Sequence, residues 1–151
     1  MSGSQQYCTF YIDRQMFGIE VEVVQEIIRF QEITRVPLAP ALVHGLINLR
    51  GQIVTAIDLG TLLAFSSHDP ERPRMNVIVR GEDSSFSLLV DRIGDVLELD
   101  ESMSEVAPIT LKGAVSEVID RAYKLERELL LSIDVTRLLK TISQAVVGHA
   151  A

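Results

Sequence analysis

The chain contains one cysteine, Cys8, and no tryptophan. A single cysteine excludes an internal disulfide and matches a reducing compartment. Cys8 lies in an alternating stretch, where a lone thiol reads as core filler. Aromatic residues make up 5% of the 151 positions, too few for a surface that stacks bases. Positive charge is short as well. Fourteen Lys and Arg stand against 21 Asp and Glu, a net charge of −7, and the pI is 4.9. A phosphate backbone or an anionic membrane surface calls for the opposite sign. No apolar run reaches the roughly 18 residues of a membrane span. The opening MSGSQQYC has neither a basic segment nor an apolar signal core, so a cytoplasmic location is expected. His44, His68 and His149 are far apart, with no paired metal spacing. Phosphate-cradling glycine motifs and a nucleophile elbow are also missing. Neither a metal nor a cofactor is expected, and catalysis has little to stand on.

What is present is apolar patterning. Hydrophobic residues make up 47% of the chain, enough for a core without covalent staples. Tyr7–Ile12 alternates and predicts a strand, with Met16–Val21 returning as its hairpin partner. Val23, Val24, Ile27 and Ile28 fall on one side of a short helix, with Glu22, Gln25, Glu26 and Arg29 opposite. Ile33–Val36 predicts a strand ended by Pro37, and Ala41–His44 one helical turn. Gly45–Leu49 and Gln52–Ile57 form a hairpin around Arg50-Gly51, where the glycine accepts positive φ. Asp58 caps a short helix through Phe65. Ser66–Arg74, polar with two prolines, reads as a linker.

The second half repeats this order. Met75–Val79 and Phe86–Val90 are strands, Glu101–Lys112 a polar connection, and Val115–Leu125 with Leu129–Ile133 a further hairpin. Asp134 caps a helix to about Ile142, and the remaining SQAVVGHAA reads as a frayed tail. IVTAIDLGTLL (Ile53–Leu63) aligns with LLLSIDVTRLL (Leu129–Leu139), and FGIEVEVVQEII (Phe17–Ile28) with FSLLVDRIGDVL (Phe86–Leu97). A repeat of this length is a duplicated small domain and not a solenoid. Its strands predict two small barrels, closed or partly open, which remove exposed edges. Residues 6–140 then form one domain of two echoing lobes, about 6–65 and 75–140, with 141–151 as tail.

Asp58 and Asp134 are the one pair of carboxylates that a catalytic reading would use. They occupy equivalent places before two helices, and capping accounts for both. What remains is an interaction protein, since a groove between two lobes accepts amphipathic helices and hairpin tips add contact surface.

The text FGIEVEVVQEII, then ITRVP, then GLINLRGQIVTAIDLGTLL resembles the CheW family, adaptors of bacterial chemotaxis-type signalling. The resemblance extends from about Gln6 to Lys140. It implies a mainly β fold of two intertwined five-stranded barrels of the Src-homology-3 type, and no catalysis. It implies two partners, the regulatory domain of a CheA-type histidine kinase and the cytoplasmic tip of methyl-accepting chemoreceptors, and neither nucleic acid nor membrane insertion. A monomer is expected in isolation. The implied partner-binding residues are Val24, Glu26 and Ile27 of the V-x-E-I segment and Gly45, Asn48, Leu49, Arg50 and Gly51 of the hairpin. Glu26 and Arg50 are expected to meet as a partly exposed ion pair that holds the turn. Arg121 and Tyr123 stand where small residues are usual in the family, which points to altered contacts in the second lobe. A pilus or other output, or an unrelated acidic binding module, is the alternative.

Overall fold

A computed structural model describes residues 3–29, 31–65, 74–106 and 113–150. The linker reading, apart from Arg74, and the Pro108 end of the polar connection lie outside these residues.

Strands β1 (Ser4–Ile12) and β2 (Gln15–Glu20) form the expected first hairpin, with Phe10 opposite Phe17. The helix expected over residues 22–29 is replaced by a single 3-10 turn, Val21–Val23, and strand β3 (Val24–Ile28). β-Branched Val and Ile favour a pleated surface over a helix. A bulge between Val24 and Glu26, where β3 pairs with β6 (Met75–Arg80), breaks the two-residue alternation and produces a spacing that mimics a helix. The segment at Ile33–Val36 is not a strand either, and only Thr34 bridges to Leu46. Nor is there a helical turn at Ala41–His44, because β4 (Val43–Leu49) already begins there. Strand β5 (Gln52–Asp58) completes the second hairpin, and helix α1 (Leu59–Leu62) is shorter than expected.

Strands β6 and β7 (Ser85–Val90) follow as expected, then β8 (Arg92–Asp100), a 3-10 turn at Glu101–Met103 and β9 (Ser104–Val106). The predicted strand at Val115–Leu125 is divided. Helix α2 (Ala114–Val118) takes its start and β10 (Ile119–Lys124) the rest, before β11 (Leu129–Ile133). Helix α3 (Val135–Ala150) runs well past Ile142, through the stretch that reads as a frayed tail.

The strands make two mixed sheets, in the orders β8-β1-β2-β11-β10-β9 and β3-β6-β7-β5-β4. Neither sheet is built by one half of the sequence. The first half gives β1 and β2 to one sheet and β3, β4 and β5 to the other. The second half does the reverse, with β6 and β7 crossing over. Four strand pairs join the halves, β1 with β8 and β3 with β6 antiparallel, and β5 with β7 and β11 with β2 parallel. This exchange is what makes the two barrels intertwined.

The repeat is also visible in single bonds. Asp58 N donates to the Leu42 carbonyl at 2.7 Å, and Asp134 N to the Val118 carbonyl at 2.9 Å. Each aspartate then accepts from the backbone three residues on, Thr61 N at 3.1 Å and Arg137 N at 3.2 Å.

One apolar core joins both sheets and α3, including Phe10, Phe17, Ile57, Leu88, Leu131 and Leu138. Phe17 lies between Phe10 and Phe65, at ring-centroid distances of 6.0 and 5.7 Å. A second cluster of Ile47, Leu49, Val54, Ala56, Ile78 and Leu89 fills the β4–β5 side. Cys8 is buried in the main core, and that burial raises its thiol pKa, so it is filler and not a nucleophile.

Candidate functional site

The β4–β5 hairpin turns through two residues, Arg50 at φ 51° and Gly51 at φ 87°. Two successive positive φ values give the mirror-image turn whose twist suits a hairpin. Glycine takes that conformation at no steric cost, whereas arginine does not. Two local interactions hold it. Asn48 Oδ1 accepts from Gly51 N at 2.9 Å, which closes the turn from within. Arg50 then lays its guanidinium fork on Glu26, with Nη1 3.1 Å from Oε1 and Nη2 on Oε2. The expected pair is therefore present, in bidentate geometry.

This pair has a topological role. β3 and β4 are the two edge strands of their sheet. Glu26 stands on β3, and Arg50 at the end of β4, so the pair closes the curled sheet at one rim. Ile28 and Ile33 close it from inside by packing on the second apolar cluster. The Arg50 side chain is 67% exposed and that of Glu26 24%. The hydrogen bonds from Arg50 hold the Glu26 carboxyl below its ordinary pKa, and Glu26 raises that of Arg50.

The other sequence-derived residues build this tip from below. Leu49 is buried in the second cluster. Gly45 lets the neighbouring segment come close, since a Cβ there would lie 2.5 Å from the Thr34 carbonyl oxygen. That closeness permits the paired 2.8 Å bonds between Thr34 and Leu46. Val24 and Ile27 are half-buried and pack against the main core. Glu26, Asn48, Arg50 and Gly51 thus form one constellation, while Val24, Ile27, Gly45 and Leu49 position it.

Ile53 was not singled out by the sequence. It is 62% exposed and lies directly opposite Asn48 in the hairpin. It borders an open groove of about 510 Å³ lined also by Gln25, Gln52 and the β6–β7 turn. In QIVTAI both alternating sets contain isoleucine or valine, so periodicity could not tell the outward set from the inward one.

Tyr123 is 2% exposed, and its hydroxyl lies 3.2 Å from that of Tyr7. It is a core residue and not a contact. Arg121 donates to Ser104 Oγ at 2.7 Å and pairs with Glu101 at 3.4 Å, while Lys124 pairs with Glu105 at 3.3 Å. These side chains fasten β10 to β9 and the turn before it. Of the capping aspartates, Asp58 ends β5 of one sheet and Asp134 directly follows β11 of the other. Asp58 also accepts from Arg74 Nη1 at 2.8 Å. Burial pushes its carboxyl upward, but the bonds from Arg74 and Thr61 outweigh burial and hold it below its ordinary value. Both aspartates are committed to helix starts, an arrangement that offers no shared proton or nucleophile.

The CheW-like domain family matches residues 6–143. The chain belongs to that family. The chemotaxis protein CheW of Bacillus subtilis (strain 168) is 31% identical over 143 residues, 94% of this chain and 92% of that protein. The chemotaxis protein CheW of Treponema pallidum (strain Nichols) is 28% identical over 140 residues, 90% of this chain and 82% of that protein. Among solved structures, the scaffolding protein TtCheW from Thermoanaerobacter tengcongensis superposes with a TM-score of 0.79 at 23% identity, covering 87% of this chain and 90% of that one. At that identity the likeness speaks for the fold. The CheW-like fold of two intertwined barrels accounts for the strand exchange between the two halves. Among the described residues, no helix is long and apolar enough to cross a membrane.

Proposed function

We propose that this CheW-like chain is a non-enzymatic cytoplasmic adaptor in a chemotaxis-type array. It couples the tips of methyl-accepting chemoreceptors to a CheA-type histidine kinase by binding the kinase's regulatory domain. The observation that carries this reading is the rigid, exposed hairpin tip held by Glu26 and Arg50, within a family whose relatives are named chemotaxis proteins. A preordered tip loses little entropy on docking.

The chemistry of the tip divides the roles. Asn48 and Arg50 already have internal partners, so they position the surface. Ile53, apolar and in solvent beside them, is the anchor that a partner desolvates. The regulatory domain binds across this tip, with Val24, Ile27, Gly45 and Leu49 supporting it from below.

The test is a calorimetric titration of the chain with the regulatory domain of a CheA from the same cell. It is repeated with Arg50→Ala and Ile53→Ala, and with circular dichroism as the folding control. The expected result is micromolar binding by the wild-type chain, weakened at least tenfold by each variant with an unchanged spectrum. No wild-type binding to any resident CheA overturns the kinase-coupling role.

A further inference from the structure

We infer that four polar side chains, Gln25, Asn76, Ser85 and Ser87, form a clamp that sets the register of β3 and so positions Glu26 for Arg50. Three of them belong to the second half of the chain, whereas Glu26 and Arg50 belong to the first. The clamp grips β3 on both sides of Glu26. Ser85 Oγ donates to Gln25 Oε1 at 2.8 Å just before it. Asn76 Nδ2 donates to the Arg29 carbonyl at 3.1 Å, just past the end of β3. Ser87 Oγ in turn donates to Asn76 Oδ1 at 2.8 Å.

The apolar pattern of β3 leaves its register open. This is an edge strand, paired on one side only, with β6. Its register shifts between Val24, opposite Val79, and Glu26, opposite Ile78, so Gln25 is the extra residue of the bulge. An unbroken ladder from Val24 would set Gln25 opposite Ile78 and Glu26 opposite Val77. Such a one-residue slip turns each following side chain to the other face of the sheet. Glu26 would then point away from the Arg50 fork. Adjacent Ile27 and Ile28 put an isoleucine on each face in either register.

The polar partners close that choice. Asn76 and Ser87 are buried, and they stand opposite Leu89 and Ile78 of the second apolar cluster. An amide in this interior costs desolvation that a leucine would not. Its oxygen is committed to Ser87 and its nitrogen to Arg29, so a slip of β3 takes the acceptor away from a buried donor. At the other end, the bond to Ser85 holds Gln25 as the residue that bulges. Strand exchange between the halves thus brings β6 and β7 to fix a first-half strand. The effect on partner binding rests on the kinase-coupling proposal, whereas the clamp does not.

The experiment is a carbon-13 NMR titration of the Glu26 carboxyl in the full chain, followed by the kinase-domain titration above. In the wild-type chain the midpoint should lie below the ordinary glutamate value of about 4.3. Ser85→Ala removes one arm of the clamp, and the double variant Asn76→Leu/Ser87→Ala the other. In each, the Glu26 midpoint should rise toward that of Arg50→Ala. Ser85→Thr, which keeps the hydroxyl, should hold the wild-type value. Kinase-domain affinity should fall at least tenfold in the double variant. Adding Arg50→Ala should weaken it no further, because both act through one pair. A clamp variant that is folded by its amide spectrum and keeps the wild-type midpoint overturns the inference. So does a Ser85→Thr chain that behaves like Ser85→Ala, or a loss of affinity that adds fully to that of Arg50→Ala. Ser85 is only half-buried, so its two variants decide the matter should the core variant fail to fold. The carboxyl titration needs no kinase, so it decides the clamp even where the kinase-coupling proposal fails.

Discussion

Arg50 reaches from the β4–β5 turn to Glu26 on β3, so one guanidinium spans the two edge strands of a sheet. The same arginine occupies a positive-φ turn position, at 51°. Charge and backbone therefore pull apart as experimental variables. Arg50→Ala removes the pair and keeps the unfavourable backbone. Arg50→Gly removes the pair and relieves the backbone. Both should lower partner affinity alike, while Arg50→Gly melts at the same or a higher temperature than Arg50→Ala. Paired melting curves and titrations check this. A glycine variant that binds like wild type would show that the turn, and not the guanidinium, is what the partner needs.

Gly45 is required by a close approach. A Cβ at this position would press on the Thr34 carbonyl oxygen, at 2.5 Å. Backbone cannot swing aside as a flexible side chain can. Gly45→Ala should cost about 1–3 kcal/mol, the range of overpacking in a tight site. The urea midpoint should fall with an unchanged slope.

The hairpin was legible because its turn residues sit between two alternating apolar runs, and the aspartate caps because each precedes a leucine-rich helix start. Duplication was legible from aligned text alone. The strand at Val24–Ile28 was not, because its bulge shifts the alternation into a helical spacing. Exchange of strands between the halves was equally hidden, since pairing of β3 with β6 and of β8 with β1 is long-range. Ile53 escaped because inward and outward positions of β5 are both apolar. Tyr123 read as a surface departure, yet the chain places a second tyrosine, Tyr7, across the core to meet it.

That tyrosine pair gives a third expectation. The two buried hydroxyls lie 3.2 Å apart, with rings 5.5 Å between centroids. Tyr7→Phe or Tyr123→Phe leaves the other hydroxyl without this partner, at a cost of about 1–3 kcal/mol. The double variant should cost less than the sum of the singles, which a double-mutant cycle measures. Burial, then the Tyr123 hydrogen bond, raises the Tyr7 phenol above its ordinary value. The folded state thus favours the protonated phenol. Its contribution is fully present below the unfolded pKa of about 10 and is lost as pH rises above it. Wild-type stability should fall more steeply than that of Tyr7→Phe on this alkaline limb.

Asp58 behaves in the opposite sense. Its carboxylate caps α1 through Thr61 and pairs with Arg74, and both members of the pair are largely buried, with side-chain exposures of 16% and 17%. The folded-state pKa lies below the ordinary value. Stability from this group is therefore present above the unfolded pKa of about 4, and is lost as pH falls through the folded-state value. Asp58→Asn keeps a capping oxygen but leaves Arg74 without its carboxylate, and should cost about 1 kcal/mol. Asp58→Ala removes the cap as well and should cost about 2 kcal/mol. Both variants should flatten the acid limb of the stability profile. Asp134→Asn should change it less, because its arginine, Arg137, is 52% exposed and 3.7 Å away. Chemical denaturation between pH 3 and 7, run on the three variants, would distinguish the largely buried pair from the more exposed one. Equal acid sensitivity at the two caps would mean that Arg74 contributes nothing beyond what solvent already supplies.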